Sequence, residues 1–240
     1  MFDALCHPGH AITPSRFLRR AAEAGVEGLM LGGYDPGDWR HSDSLHTDAL
    51  TVLRSSGLHP WAVTRDNSEA IAILGERLSA GMANAVGEIG LDRARARATY
   101  AHQQVAFAAQ LALARDHGLP VVLHVVKAHG RALSLLDEHP PPGGVVHGFT
   151  SAPEIAREYM KRGLHISFGG ALLKPLTKRA RASAASVPLE RLVIETDAPD
   201  QLPNPADLHR VLAALSGLRP ESTEALAEAT AANARRAYRV

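Results

Sequence analysis

Five side chains able to ligate a metal stand at or near the ends of short apolar runs in this sequence: His7, Glu88, His124, His147 and Asp197. Imidazole nitrogen and carboxylate oxygen are the donors that suit Zn²⁺, Mn²⁺ or another borderline ion. An ion held this way lowers the pKa of its bound water and polarises a phosphoryl oxygen, which is the chemistry of metal-assisted phosphoester hydrolysis. Any one histidine ending a strand is more often a hydrogen-bonded rim residue than a ligand, so the inference rests on the five together. Ile89 follows Glu88, and Val193-Ile194 precede Asp197. An unpaired carboxylate in such apolar surroundings is costly, and a bound cation removes that cost.

The elements that must bring these residues together are legible as an alternation. Short runs rich in Val, Ile or Leu occur at Phe2–His7, Val26–Gly32, Leu58–Val63, Ala85–Gly90, Pro120–Val126, Gly144–Phe149, Leu164–Phe168 and Arg191–Thr196. Each reads as a buried parallel strand. Helical segments lie between them. Pro14–Ala24 follows Thr13, an N-cap residue, with proline at N1. Thr99–His117 carries Val105, Phe107, Leu111 and Leu113 and stops at Gly118, Pro153–Arg162 stops at Gly163, and Glu221–Tyr238 closes the chain. Eight strand–helix units allow an open doubly wound sheet or a closed barrel. No GxGxxG turn follows the first run, and eight is the number that closes. The expected architecture is therefore α/β, one (β/α)8 TIM barrel spanning residues 1–240. Its five candidate ligands sit at the C-terminal rim, where such barrels place their chemistry.

Composition narrows the choice further. The 240 residues carry 26 Lys and Arg against 25 Asp and Glu, a formal net charge of +1. Bulk electrostatics then cannot hold the protein on nucleic acid, and a polyanionic substrate must be gripped locally. Cys6 is the one cysteine, which excludes an internal disulfide and suits a reducing compartment. The opening MFDALCHPGH lacks the basic and long apolar regions of a signal peptide, and no apolar stretch approaches the roughly 18 residues needed to span a bilayer. The expectation is a soluble cytoplasmic protein with no membrane partner.

Several segments resemble the TatD-type metal-dependent deoxyribonucleases, barrels akin to the amidohydrolases. Gly87-Glu88-Ile89-Gly90-Leu91-Asp92 resembles the GEIGLD signature of that family. Leu119–His124 and Gly144–Phe149 are similar to its fifth and sixth strands, and Glu195-Thr196-Asp197-Ala198-Pro199 to its ETDAP motif. Gly57-Leu58-His59-Pro60 and Asn233-Ala234-Arg235-Arg236 also fit. The resemblance implies hydrolysis of DNA phosphodiesters with one or two divalent ions (Zn, Mn or Mg). It implies that Glu88 bridges two ions, that His124 and His147 hold one, and that His7 and Asp197 hold the other. Asp197 would also take the proton of the attacking water, which makes Asp197 and Glu88 the expected catalytic pair.

The chain departs from that pattern on strand one, where the family has an H-x-H pair and this sequence has Leu5-Cys6-His7. Alternation along a strand turns Leu5 and His7 to the barrel interior and Cys6 away, so Cys6 does not replace the missing ligand. Either His10 reaches back from the following loop, or one ion loses a ligand and binds weakly or not at all. After His124 the family continues with serine, arginine and aspartate, whereas this chain has Val125-Val126-Lys127. Lys127 and His59 are the expected substrate contacts. Arg93, Arg95 and Arg97 read as a solvated turn before they read as phosphate contacts. Lys174, Lys178, Arg179 and Arg181 form a basic cluster of either kind. Trp39 and Trp61 read as packing rather than base-stacking residues, and His46 as a rim residue or a contact. Three functions remain open at this level: a phosphodiesterase acting on nucleic acid, a metal-dependent hydrolase of another ester or amide, and a degenerate barrel that binds nucleic acid or a protein without turnover.

Overall fold

In the computed structural model, which describes residues 1–8 and 14–240, eight parallel strands pair in chain order. They are β1 (Phe2–Cys6), β2 (Gly28–Leu31), β3 (Thr51–Ser56), β4 (Ala85–Asp92), β5 (Val121–Val126), β6 (Gly144–Val146), β7 (Leu164–Phe168) and β8 (Leu192–Ile194). Backbone hydrogen bonds from Asp197 N to Leu5 O (2.9 Å) and from His7 N to Ala198 O (2.6 Å) join the two ends of the sheet. The buried Asp3 carboxylate reinforces the seam by accepting from Thr196 N at 2.8 Å and from the Thr196 hydroxyl. The result is the (β/α)8 barrel that the sequence leads one to expect.

The helices are α1 (Pro14–Glu23), α2 (Pro36–Asp43), α3 (Ser68–Ser79), α4 (Tyr100–Asp116), α5 (His129–Glu138), α6 (Pro153–Lys161), α7 (Lys178–Ser186), α8 (Leu208–Ser216) and α9 (Thr223–Tyr238). Both faces of most strands are buried, which is why they read as continuous apolar runs. On β5, Val121 and Leu123 belong to the apolar layer shared with helix residues such as Phe107 and Leu111, while Val122 belongs to a second cluster with Leu5, Met30, Leu53, Val145 and Val193. That second cluster fills the barrel. Its floor is sealed by α9, whose Ala231, Ala234, Ala237 and Tyr238 join it and whose Tyr238 hydroxyl donates to Ala4 O at 2.6 Å. Small alanines let the helix approach closely, and the tyrosine fills the hole while its hydroxyl finds a partner.

β4 carries one residue more than β5 between the pairs Val86↔Val121 and Ile89↔Leu123. This bulge sets Gly87 and Glu88 together between the outward-facing Val86 and Ile89, and so re-aims a carboxylate into the barrel. Position 87 must be glycine, because a Cβ there would lie 2.5 Å from Val122 Cβ.

Two expectations need correction. The third strand is Thr51–Ser56, and Leu58–Val63 is the loop after it. β3 is polar, yet its ladder to β2 is complete, Arg54 donates to Ser42 O and Leu45 O, and Ser55 Oγ bridges Gly33 N and Leu31 O. Leu58 and Val63 are apolar because they pack with Ala106 in a small cluster outside the barrel, where the Gln110 amide pairs with both Leu58 N and Leu58 O. Val105, expected among the apolar positions of its helix, is 72% exposed. Thr13 and His10 lie outside the described residues. No helix among the described residues is long and apolar enough to cross a membrane.

Candidate metal and active site

The C-terminal mouth opens into a cavity of about 720 Å³ whose lining includes His7, His59, Glu88, His124, His147 and Asp197. All five expected ligands therefore meet in one place. His7 follows β1, Glu88 sits in the β4 bulge, His124 lies on β5, His147 follows β6 and Asp197 follows β8. Asp197 has a left-handed backbone, φ 48°, a conformation that non-glycine residues adopt at a cost and that clusters at functional sites.

Glu88, 2% exposed, is the hub. Its Oε1 is 3.1 Å from His7 Nε2, which is also 3.6 Å from Asp197 Oδ1. Its Oε2 is 2.6 Å from His147 Nε2 and 3.8 Å from His124 Nδ1, and those two ring nitrogens are 2.9 Å apart. Despite this crowding, Glu88 Oε2 is a buried oxygen with no hydrogen-bond partner of acceptable geometry.

Each of the two central imidazoles has a second carboxylate behind it. His124 Nε2 is 3.4 Å from Asp92 Oδ2, and His147 Nδ1 is 3.5 Å from Glu195 Oε1. Asp92 is itself fixed by donors from Trp61 Nε1 (2.7 Å), Ala94 N (2.7 Å) and Arg95 N (2.8 Å). Glu195 accepts from Gly148 N at 2.6 Å and from the Ser167 hydroxyl. A carboxylate behind a histidine orients the ring and leaves the other nitrogen's lone pair aimed forward, as in metal sites. Here His124 Nδ1 and His147 Nε2 both face Glu88 Oε2, and with both rings neutral a divalent cation would accept all three as donors. The residues present fit such an ion. The ligand atoms of His59, Glu88 and His124 lie within 4.8 Å of one another, as do those of His147, Glu195 and Asp197.

The electrostatics follow from the packing. Burial works against a charged His7, but hydrogen bonds to Asp197 and Glu88 outweigh it and hold the imidazole well above its usual pKa. Burial likewise opposes charge on His147 and His124, and the neighbouring carboxylates raise both. Burial pushes the Glu88 carboxyl up, but the charge of His147 and hydrogen bonds from the surrounding histidines bring it well below the carboxylate range. Asp197 is lowered for the same reason by its hydrogen bond with His7, against the effect of burial. His59 is the exception: burial drives it down to about 3, so it is neutral at physiological pH. Its Nδ1 accepts from Trp61 N at 3.1 Å, which leaves the ring proton on Nε2.

The remaining sequence candidates divide clearly. His59 lines the cavity, stacked on Tyr34 at 5.2 Å and edge-on to His124 at 4.5 Å. Lys127 does not line the cavity: it is exposed at a left-handed turn, φ 52°, leading into α5. Trp39 is buried, its indole donating to Gly57 O, whereas Trp61 is half-buried and lines the mouth; Arg95 is exposed in a turn, as expected, and its side chain also lines the mouth. Lys174, Lys178 and Arg179 are exposed after β7, Arg181 donates to Leu172 O, and His46 is exposed; none of these lines the cavity. Asp92 and Glu195 were missed as partners, although both stand inside recognised motifs. Carboxylates beside GEIGL and TDAP were the available signal.

Comparison with known proteins agrees with this geometry. The chain matches the family model described as TatD related DNase over residues 2–239. It is 32% identical over 241 residues to a protein of Escherichia coli K12 named an uncharacterized metal-dependent hydrolase, YjjV, covering 95% of this chain and 93% of that one. It is 34% identical over 264 residues to the Citrobacter rodentium protein named 3'-5' ssDNA/RNA exonuclease TatD, covering 99% and 97%. The crystal structure of E. coli YjjV superposes with a TM-score of 0.93 at 30% identity, covering 100% of this chain and 98% of that one. The chain belongs to the TatD-related DNase family.

Proposed function

We propose that this protein is a divalent-metal-dependent phosphodiesterase that acts on single-stranded nucleic acid. The observation that carries the reading is the convergence of His124 and His147, each with a second carboxylate behind it, on one buried oxygen of Glu88. The relatives named as exonucleases of single-stranded DNA and RNA supply the substrate class.

Glu88, His124 and His147 would hold one ion, and His7 with Asp197 and Glu88 a second. When bound, such an ion supplies Lewis acidity to the phosphoryl oxygen and a lowered pKa to water. The protein's own contributions are specific. Asp197, kept ionised by His7, takes the proton of the attacking water on its carboxylate. Its backbone N–H, bonded to Leu5 O at 2.9 Å, holds that carboxylate at the seam of the barrel. Neutral His59 presents Nε2–H as a hydrogen-bond donor to a phosphoryl oxygen as charge grows there. Leu5 is fully buried in the barrel interior and offers no donor atom, so the strand-one side of the site has one imidazole among the described residues.

The test is turnover of 3'-labelled single-stranded DNA and RNA by the purified protein, before and after chelation and with Mn²⁺, Zn²⁺ or Mg²⁺ restored. Chelator-sensitive release of nucleotides that returns with metal is expected. Full activity in excess chelator overturns the reading.

A further inference from the structure

The geometry points to Arg95 as the residue that holds a second phosphate of the substrate, the one next along the strand from the bond that is cut. This assignment rests on the phosphodiesterase reading above. The cavity wall is rich in acids: Asp35, Asp38, Glu88, Asp197 and Asp200 all line it. Arg95 is the one Arg or Lys among the described residues that does so. A phosphate beyond the reach of the ion centre has no other fixed cation to meet.

Arg95 is built to be that cation. Its guanidinium lies over the Trp61 ring, 3.7 Å from the centroid, and among the described residues it forms no ion pair. Stacking fixes the plane of the fork while leaving its N–H edge open, the arrangement that suits bidentate phosphate contact. The loop beneath is anchored, since Asp92 Oδ1 accepts from Ala94 N and Arg95 N while Asp92 Oδ2 accepts from the Trp61 indole. The same Asp92 contacts His124, so one carboxylate sets the spacing between the ion centre and the arginine.

Position adds a second observation. A side chamber of about 340 Å³ adjoins the main cavity and shares Tyr34, Trp61 and Arg95 with it. Arg95 thus stands at the boundary of two chambers, where the phosphate joining two successive nucleotides would lie. The arginine that the family pattern places after His124 is absent here, and Val126 fills that place. Arg93 N bonds to Val126 O at 3.0 Å, so the Arg95 loop runs directly beside the vacated position. Arg95 thus offers a guanidinium one loop across the rim from that place.

The experiment crosses substrate length with substitution. KM is measured on the metal-loaded protein for a dithymidylate, with one phosphodiester, and a trithymidylate, with two. In the wild type the added phosphate is expected to lower KM by about tenfold, the worth of a charge-assisted hydrogen bond. In Arg95→Gln that advantage disappears, with kcat on the dinucleotide within about twofold of wild type. Arg95→Lys, which keeps the charge but not the planar stack, falls between. Val126→Arg in the Arg95→Gln background restores part of the advantage. A trinucleotide preference that survives in Arg95→Gln overturns the assignment while leaving the phosphodiesterase reading intact. Should no substrate be cut, binding of a fluorescent phosphorothioate pentathymidylate decides separately. Weaker binding by Arg95→Gln supports the phosphate contact, and equal binding by both proteins, or none by either, overturns it. Arg95 is exposed, so the melting temperature of each variant serves as the folding control.

Discussion

On β5, Val122 and His124 face the same way two residues apart, one in the barrel's apolar filling and the other in its polar mouth. The same step separates Leu5 from His7 on the chain that leaves β1. The floor and the mouth are therefore made from the same strands and differ in what closes them. α9 seals the floor with alanines and Tyr238, whereas a cavity opens over the mouth. Histidines show the difference most directly. His147 follows β6 and His165 lies on the neighbouring β7, and both are buried. Burial opposes charge on each, yet His147 is raised well above its usual pKa and His165 is lowered to about 4. Glu88 and Glu195 face the first, while Arg191 and Arg236 act on the second. Burial sets the size of the penalty, and the carboxylates that converge at the mouth reverse its sign.

The largest expected break in this asymmetry comes from the mouth. Glu88→Ala and Asp197→Asn are each expected to lower turnover by about a thousandfold or more, since on the proposed mechanism each removes a ligand or proton acceptor from an interdependent set. The fold should persist, because function-related charge is seldom what stabilises a barrel. Circular dichroism and melting beside the nuclease assay check both halves. Hydrolysis at the wild-type rate by either variant refutes the assigned roles.

Next in size is metal content. Leu5→His places an imidazole on the interior face beside His7, at the point where filling gives way to mouth. Elemental analysis after equilibration with Zn²⁺ or Mn²⁺ is expected to show more ion per chain than wild type. Equal stoichiometry means that another residue already completes that side.

How much of this was legible follows the same division between floor and mouth. β7 occupies Leu164–Phe168 as the sequence indicates, because a strand buried on both faces leaves an unbroken apolar run. β3 was misplaced because its polar side chains are satisfied by neighbouring backbone, a fact about other strands rather than about Thr51–Ser56. The five expected ligands stood out because polar residues interrupt or end apolar runs. Asp92 and Glu195 did not, since each acts on a histidine from a different strand and no local spacing records that. Trp61 and Arg95 acquire their place from loops that meet only when the barrel closes. Lys127 has the right charge, but the chain turns at that residue and leaves its side chain outside the cavity lining.

A smaller effect is expected at the floor. Tyr238→Phe removes the hydroxyl that donates to Ala4 O at 2.6 Å. A buried carbonyl then loses its partner, at a cost of about 1–2 kcal/mol. For a chain of this size that corresponds to a fall in melting temperature of roughly 2–6 °C. Nuclease rate per folded molecule should be unchanged, because the substitution touches neither the ion centre nor the cavity. A loss of rate without a loss of stability would show that floor and mouth are coupled more closely than two independent layers.

The smallest effect at neutral pH, and the sharpest on the histidine contrast, concerns His165. Both of its ring nitrogens are buried without a hydrogen-bond partner. Burial, with repulsion from Arg191 and Arg236, holds its pKa at about 4. In the unfolded chain the same ring takes a proton near 6.5, so between these two values the unfolded state binds the proton and the folded state does not. The proton-linked cost of this residue is therefore small at pH 7 and draws stability away progressively as pH falls from about 6.5 to about 4. His165→Leu, which fills similar space with nothing to protonate, is expected to gain stability over the wild type as the pH falls from 7 to 5. Urea midpoints measured across that range check the slope. Parallel curves for the two proteins would mean that the ring finds a proton partner on the floor, and that burial there resembles burial at the mouth.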